Sequence, residues 1–329
     1  MKILVCGGAG YIGSHVVKVL IEKHYEVVVL DNLSTGHLKA IPAAASFEKA
    51  DIGDLEALNR IFSKHQIDGV MHFCANSLVA ESMEKPILYY ENNVAGTLNL
   101  LKAMVQNNVL KFIFSSTAAV YGEPEILPII EETKKNPTNT YGATKLAVEN
   151  MLPWFEGAYG LKYMVFRYFN AAGASSSSEI GEDHTPETHL IPLVLKTALG
   201  QREKISIFGT DYETDDGSCI RDYIHVLDIA SAHILGMESL FSGKKSNIFN
   251  LGQGHGFSVR EIIEKSQELT QLEFAVEEGP RRAGDPAILI AESNKAKTEL
   301  GWQPLYSDIE TIIKTAWEWH KSHPQGYED

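Results

Sequence analysis

The sequence predicts an α/β protein in which a doubly wound parallel (Rossmann) sheet is joined to a smaller α/β domain. Short apolar runs alternate with segments of helical periodicity through the first half of the 329 residues, and a glycine-rich turn follows the first run. From about residue 174 the pattern changes to a polar, serine-rich stretch. We therefore expect one domain over residues 1–174 and a second over residues 175–329.

Five apolar runs predict buried strands, because strands covered on both faces show no polar alternation. These runs are residues 2–6, 27–30, 69–73, 111–115 and 163–166. A helical pattern follows the first run as far as Leu20, and further helical segments lie near residues 54–65, 90–106 and 141–155. Alternation of this kind predicts parallel pairing, since a parallel connection needs a crossover segment.

The second half of the chain predicts a mixture of helices and short strands. Residues 191–199 and 226–240 have helical periodicity, and residues 205–208 read as a strand. The segment Ser258-Val259-Arg260-Glu261 has the spacing of a capping box, which predicts that a further helix begins there.

Composition excludes some classes of partner. The chain has 29 basic and 43 acidic residues, and its net charge of -14 disfavours nucleic acid and anionic membranes. The three cysteines, Cys6, Cys74 and Cys219, are odd in number and far apart, which favours a reducing compartment. The first strand begins almost at Met1 and no apolar stretch is long enough to span a bilayer, so we expect a cytoplasmic protein without a signal peptide.

The first turn predicts a dinucleotide site. Gly7, Gly10 and Gly13 lie between a strand and a helix, where backbone amides can approach a pyrophosphate. Asp31 ends the second strand, where an acidic side chain binds ribose hydroxyls and repels a 2'-phosphate, and no arginine follows in residues 32–36. NAD is therefore favoured over NADP. The alternative for Asp31 is a loop cap, and Asp51-Ile52 would border the adenine.

Tyr141 and Lys145 form a candidate acid–base pair. They are four positions apart in a helical segment, so both side chains lie on one face of the helix. A nearby ammonium favours the phenolate and would lower the pKa of Tyr141 towards neutrality, and the positive nicotinamide of an oxidised cofactor would act in the same direction, as a general base requires. Thr117 ends the predicted strand before this helix and can bind the reacting oxygen. The alternative for Thr117 is a turn cap, and a Tyr-x-x-x-Lys pair also arises by chance.

Taken together, these motifs resemble the UDP-glucose 4-epimerase family of extended short-chain dehydrogenases/reductases. The resemblance covers nearly the whole chain. It rests on the glycine turn, Asp31-Asn32, residues 112–122, residues 141–145, Arg167-Tyr168-Phe169-Asn170, residues 221–226, residues 281–285 and residues 323–327.

The resemblance implies roles for individual residues. Tyr141 is the base, Lys145 binds the nicotinamide ribose and Thr117 binds the substrate. Further positions match the cofactor contacts of the family: Gly7, Gly10, Tyr11, Ile12, Gly13, Asp31, Asn32, Ser34, Gly36, Asp51, Ile52, Phe73, Ala75, Ser77, Asn92 and Phe169. Others match its contacts with the UDP-sugar: Asn170, His189, Leu190, Ile207, Phe208, Arg221, Arg282, Asp285 and Leu289.

The implied activity is the interconversion of UDP-galactose and UDP-glucose through a transient 4-keto sugar and bound NADH. Residues 1–174 would then bind NAD and residues 175–329 the UDP-sugar, in a homodimer formed through helices 90–106 and 141–155. Two positions depart from the family pattern. Ser77 stands where some members have a lysine near the phosphates, and Leu289 stands where a tyrosine excludes N-acetylated sugars. We therefore expect UDP-N-acetylglucosamine and UDP-N-acetylgalactosamine to be accepted.

The same residues also bear on alternative functions. A nucleotide-sugar 4,6-dehydratase needs an acid and a base directly after the threonine, whereas Ala118-Ala119 stand here. A non-catalytic NAD-binding sensor would not need Tyr141, Lys145 and Thr117 together. The twelve histidines include no H-x-x-x-H pattern, so no metal site is expected. The sequence has no G-x-S-x-G nucleophile elbow, so a serine nucleophile is not expected.

Overall fold

The structure is a computed structural model that describes residues 1–282, 286–306 and 308–328. Its strands are β1 Lys2–Cys6, β2 Glu26–Asp31, β3 Ser46–Lys49, β4 Gly69–His72, β5 Lys111–Thr117, β6 Lys162–Tyr168, β7 Asn170–Ala172, β8 Lys204–Phe208, β9 Ile220–Arg221, β10 Tyr223–His225, β11 Asn247–Leu251, β12 Phe257–Ser258, β13 Ala275–Gly279 and β14 Ile288–Leu289. Its α-helices are α1 Tyr11–Glu22, α2 Leu55–Lys64, α3 Val79–Glu84, α4 Pro86–Tyr89, α5 Thr97–Gln106, α6 Thr140–Tyr159, α7 Leu190–Ala198, α8 Val226–Phe241, α9 Val259–Thr270 and α10 Ile309–Ser322.

The main sheet is parallel throughout. Among the described residues it has seven strands in the order β11-β6-β5-β4-β1-β2-β3. The order reverses direction on either side of β1, because β2 and β3 extend one way and β4, β5 and β6 the other. Such a reversal opens a crevice at the carboxyl ends of the strands, which is where ligands bind in sheets of this kind. The predicted doubly wound Rossmann sheet is confirmed.

Helices cover both faces of this sheet. On one face, α1 and α8 bury Val16, Leu20 and Ile229 against strand residues such as Val5. On the other, α2, α5 and α6 bury apolar side chains of their own against a second group of strand residues. Both faces are therefore dry, which explains why the strand sequences are continuously apolar. None of the described helices is long and apolar enough to cross a membrane.

The remaining elements form a smaller α/β region. Helices α7, α9 and α10 pack around a core that includes Ile191, Ile262 and Ile312. Short strands pair beside them, namely β7 with β10, β8 with β13, and β9 with both β12 and β14. Strand β11 returns to the main sheet beside β6. The division at residue 174 stays a prediction, and each of its two segments contributes to the main sheet.

Most element predictions are confirmed within one or two residues, although several elements were missed. The predicted helix of residues 90–106 begins with π-helical turns at Tyr90–Gly96 and becomes α-helical at Thr97. Helix α6 continues past the predicted end to Tyr159, through Pro153. Strand β11 and helix α10 were not predicted. The predicted capping box is confirmed, with the Ser258 hydroxyl accepting from the Glu261 amide at 3.0 Å.

The first turn brings two backbone segments so close together that residue 13 has no room for a side chain. Gly7 has a φ of 79°, in the left-handed region that favours glycine. A Cβ added at Gly13 would stand 2.1 Å from the Gly7 carbonyl oxygen, which is backbone and cannot move aside. Glycine at residue 13 therefore allows α1 to begin directly against the end of β1.

We expect Gly13→Ala to destabilise the protein by about 1–3 kcal/mol, because the added methyl group overpacks a backbone contact. Gly157→Ala is the matched control. A Cβ at Gly157 in α6 meets nothing within 4 Å, so this change should be neutral or stabilising by up to about 1 kcal/mol. Urea unfolding monitored by circular dichroism measures both. Equal stability of the two variants would contradict the expectation.

Candidate active site

A cavity lies at the carboxyl ends of β1, β2 and β4, against the first turn of α1. Its lining residues are Gly7, Gly10, Leu30, Asp31, Asn32, Ser34, Thr35, Gly36, Ala50, Asp51, Ile52, Phe73, Cys74, Ala75, Asn76 and Asn92. Most of the predicted cofactor residues therefore come together here. Gly10 is the N-cap of α1 and has no side chain to bond the free amides of the first turn, which leaves them available to an anion.

Eight predicted cofactor residues lie outside this lining, and three of them, Thr117, Tyr141 and Lys145, belong to the candidate catalytic group described below. Gly13 is buried beneath the turn, and Ile12 is half-buried in the first turn of α1. The Tyr11 hydroxyl donates to the Gly173 carbonyl at 2.6 Å, which ties α1 to the start of the polar loop. Phe169 packs against a small cluster around Tyr121, and Ser77 is exposed.

Asp31 is held in place by two backbone amides. Its carboxylate accepts from the Ala9 amide at 3.0 Å and from the Leu33 amide at 2.9 Å. Burial raises the pKa of Asp31, and these two hydrogen bonds act against that rise. A fixed acidic group at this strand end can accept hydrogen bonds from a ribose diol and would repel a phosphate ester. The residues present therefore fit NAD better than NADP.

Helix α6 begins at the candidate catalytic pair. The Asn139 side chain caps the helix by accepting from the Gly142 amide at 2.8 Å. Tyr141 lies in the first turn, and Lys145 follows one turn later with its ammonium 5.9 Å from the Tyr141 ring centroid. Thr117 ends β5, and its hydroxyl accepts from the Ala119 amide at 3.1 Å. Thr117 thus caps a turn and also forms a side-chain hydrogen bond with Tyr141, while its role in binding the reacting oxygen stays a prediction.

The prediction for the pKa of Tyr141 is wrong for the protein alone. Burial raises the pKa of Tyr141 to about 12, and the hydrogen bond with Thr117 acts against that rise. The ammonium of Lys145 instead donates to the Ser115 carbonyl at 2.7 Å and lies 4.9 Å from the Phe114 ring centroid. Burial lowers the pKa of Lys145 to about 8.

A buried ion pair fixes α6 to the sheet. The Arg167 guanidinium donates to both carboxylate oxygens of Glu149, at 3.0 and 2.5 Å, and both side chains are almost fully buried. The Ser116 hydroxyl, one residue before Thr117, donates to the same carboxylate at 2.5 Å. Glu149 is one helical turn beyond Lys145, so the pair sets where the catalytic helix lies relative to the end of β5.

A second cavity, of about 340 Å³, lies in the smaller region. Its lining includes the predicted substrate residues Asn170, His189, Leu190, Phe208, Arg221 and Arg282. The Arg282 guanidinium stacks on the Phe208 ring at 4.1 Å from its centroid. Two arginines beside an aromatic ring suit a ligand that has both phosphates and a base. Arg202 and Tyr223 also line this cavity and were missed. Arg202 lies in no motif, and Tyr223 lies within the stretch 221–226 without having been assigned a contact.

Three further predicted substrate residues have other positions. Ile207 is buried in the core beneath the second cavity. Leu289 pairs in register with Arg221 and packs on the cluster around Tyr121. Asp285 lies outside the described residues.

The polar loop before α7 brings together four side chains that can bind a metal ion. Glu182, His184, Glu187 and His189 place one ligand atom each within 4.8 Å of all the others. The sequence predicted no metal site, because its histidines show no H-x-x-x-H spacing or comparable ligand pattern. The loop supplies this cluster instead, with carboxylates interleaved between the histidines.

The chain resembles known proteins over its full length. A model of the NAD dependent epimerase/dehydratase family matches residues 3–252. A UDP-glucose 4-epimerase of Halalkalibacterium halodurans is 57% identical over 327 residues, which cover 99% of this chain and 98% of that protein.

Two solved structures are also closely similar. The crystal structure of a UDP-glucose 4-epimerase from Brucella ovis in complex with NAD has a TM-score of 0.94 and 47% identity, covering 96% of this chain and 97% of that one. A UDP-Glc/GlcNAc 4-epimerase from Campylobacter jejuni has a TM-score of 0.86 and 44% identity, covering 98% of this chain and 99% of that one. With the match to the family model, these likenesses establish that the chain belongs to the NAD dependent epimerase/dehydratase family.

Proposed function

We propose that this protein is a 4-epimerase that interconverts UDP-galactose and UDP-glucose with NAD bound in the first cavity. One observation is central to the proposal. Thr117 ends β5, which lies between β4 and β6 in the sheet. The end of β4 leads into the lining of the first cavity, and Asn170 after β6 lines the second. Thr117, with Tyr141 hydrogen-bonded to it, therefore follows a strand that lies between the strand leading to the first cavity and the strand leading to the second, which supports a reaction between ligands of the two cavities.

Tyr141 is the proposed acid–base group. Its phenolate would take the proton from the 4-hydroxyl of the sugar, and the Thr117 hydroxyl would donate a hydrogen bond at the same position. Bound NAD supplies the hydride acceptor and a positive charge. Because burial alone leaves the pKa of Tyr141 at about 12, positive charge near the phenol is needed for the base to act near neutral pH.

The second cavity would hold the UDP moiety while the sugar rotates to present its other face. Arg221 and Arg282 are suited to the diphosphate and Phe208 to the uracil ring. The oxidised carbon is planar, so a sugar that rotates about its anchored nucleotide presents its opposite face. Configuration at carbon 4 is then inverted. A dehydratase needs a further acid and base beside Thr117, where the methyl groups of Ala118 and Ala119 stand, so elimination is not favoured.

We expect the purified protein to convert UDP-galactose into UDP-glucose without added NAD, as resolved by chromatography of the sugar nucleotides. Tyr141→Phe should lower kcat by about 10²–10⁴-fold, the usual contribution of a positioned acid–base group. Tyr159→Phe is the matched control, because Tyr159 is in the same helix and is 54% exposed. It should leave kcat unchanged.

Three results would contradict the proposal. Conversion that survives Tyr141→Phe would remove Tyr141 from the reaction. A dehydrated sugar product would favour the dehydratase. NAD retention without turnover of either sugar, even with NAD supplied, would favour the sensor.

We further propose that N-acetylated UDP-sugars are substrates. The support is Leu289, which is smaller than tyrosine, together with likeness to the Campylobacter jejuni protein named for both UDP-Glc and UDP-GlcNAc. Leu289→Tyr should lower kcat/KM for UDP-N-acetylgalactosamine at least tenfold through a steric clash of about 1.4 kcal/mol or more. The kcat/KM for UDP-galactose should change by less than about threefold, within about 0.7 kcal/mol. No turnover of the acetylated sugar by the wild type would contradict this specificity.

We also propose that the chain forms a homodimer through the helices of residues 90–106 and 141–155. Tyr90, Leu98 and Trp154 lie on these segments and are 47%, 44% and 78% exposed, an unusual amount of bare apolar surface for helices that flank a core. Trp154→Glu should shift the sedimentation coefficient from that of a dimer to that of a monomer, because a charge would be buried in the interface. A monomeric wild type would contradict the proposal.

The domain division and the cellular location are proposals of the same kind. Residues 1–174 would bind NAD and residues 175–329 the UDP-sugar, in keeping with the two cavities. A cytoplasmic location is supported by Cys6 and Cys74, which stand as thiols and not in a disulfide.

A further inference from the structure

The loop between β7 and α7 contains a compact set of nitrogen and oxygen ligands. The Nδ1 atom of His189 is 2.9 Å from Glu182 Oε1 and 2.9 Å from Glu187 Oε1. The Nδ1 atom of His184 is 3.3 Å from Glu182 Oε1 and 3.6 Å from Glu187 Oε2. Both imidazoles therefore point the same type of nitrogen at the same two carboxylates.

These separations are close to those between the ligands of a tetrahedral metal ion. Zinc ligands at about 2.0–2.1 Å in tetrahedral geometry are about 3.3–3.4 Å from one another. With Glu182 Oε1, Glu187 Oε1 and the two Nδ1 atoms as ligands, three of the separations are 2.9, 2.9 and 3.3 Å, and the four residues offer ligand atoms that all lie within 4.8 Å of one another. Two histidines and two carboxylates are also an established class of zinc donors, since imidazole suits Zn²⁺ and carboxylate oxygen completes the set.

Hydrogen-bonding geometry in this cluster is poor at two atoms. Among the described residues, His184 Nδ1 and Glu187 Oε2 are buried and meet no partner in good hydrogen-bonding geometry, although His184 Nδ1 is 3.3 and 3.6 Å from two carboxylate oxygens. Each Nδ1 carries at most one proton, yet each faces two carboxylate oxygens. A divalent cation at the centre would satisfy all four ligand atoms at once, and its charge would balance the two carboxylates.

We propose that Glu182, His184, Glu187 and His189 bind one Zn²⁺ ion in a structural site. Four protein ligands close the coordination sphere, which is the arrangement of structural rather than catalytic zinc. No role in proton or hydride transfer follows from this arrangement.

The location indicates what the ion would stabilise. The His184 ring meets the Tyr11 ring edge-on at 6.2 Å, and Tyr11 begins α1 at the first cavity. His189 lines the second cavity and is the N-cap of α7. On the other side, the Trp319 indole donates to the Glu182 carbonyl at 3.3 Å. The bound ion would therefore stabilise the loop, which contacts the two cavities on one side and α10 on the other.

Metal content of the untagged, purified protein tests the site without reference to catalysis. We expect elemental analysis after dialysis to find about one zinc per chain, as for a structural site. His184→Asn should reduce this to background. His24→Asn is the matched control, because His24 is exposed and its φ of 64° suits asparagine, and it should keep the wild-type content.

A second measurement does not depend on how well the variant folds. Stripping the wild type with a chelator should lower its Tm, and added Zn²⁺ should restore it. Added Co²⁺ should give the intense visible absorption of a tetrahedral site in the wild type and in His24→Asn. Wild type that neither contains nor takes up zinc would overturn the proposal, and so would equal zinc in wild type and in a folded His184→Asn.

Discussion

The contact between Gly13 and the Gly7 carbonyl is the constraint on which the rest of the site depends. It allows α1 to start directly at the end of β1, and Gly7 in turn lies against the backbone of Phe73 and Cys74 after β4. The Ala9 amide within this turn bonds the Asp31 carboxylate at the end of β2. Three strand ends are thereby held around one cavity, two by backbone packing at Gly7 and Gly13 and the third by the hydrogen bond to the Asp31 side chain.

The Arg167–Glu149 pair is the corresponding constraint on the catalytic side. Burial of two charges costs free energy that the pair recovers only with good geometry and further hydrogen bonds, and here both conditions are met. The Arg167 guanidinium also donates to the Tyr121 hydroxyl at 2.8 Å and the Glu131 carbonyl at 3.1 Å. Because Glu149 belongs to α6 and Ser116 to β5, this network fixes Lys145 and Thr117 relative to each other. The network therefore contributes more to the positions of these side chains than to the free energy of unfolding.

Local signals in the sequence were sufficient for much of this architecture. Continuous apolar runs, the glycine turn and the capping box each reflect a local preference, and each was predicted correctly. Strand β11 was missed because Asn247 and Asn250 interrupt a short run, and its place in the sheet depends on pairing with β6, whose paired residues lie 83 positions earlier in the chain. The second cavity joins segments from Asn170 to Arg282, so only the family resemblance could indicate it. The spacing of histidines on one face of a helix could not indicate the four candidate metal ligands, because a loop brings them together.

The pKa of Tyr141 was beyond sequence reasoning for a physical reason. A spacing of four places Lys145 on the same face as Tyr141, but it does not say what the ammonium contacts or how dry the phenol is. Burial disfavours the phenolate more than the Thr117 hydrogen bond favours it, while burial also weakens the hold of Lys145 on its own proton. Ionisation of the base therefore depends on positive charge brought close to a dry phenol. For the proposed role of Tyr141, the phenol and the positive charge near it therefore have to be considered together.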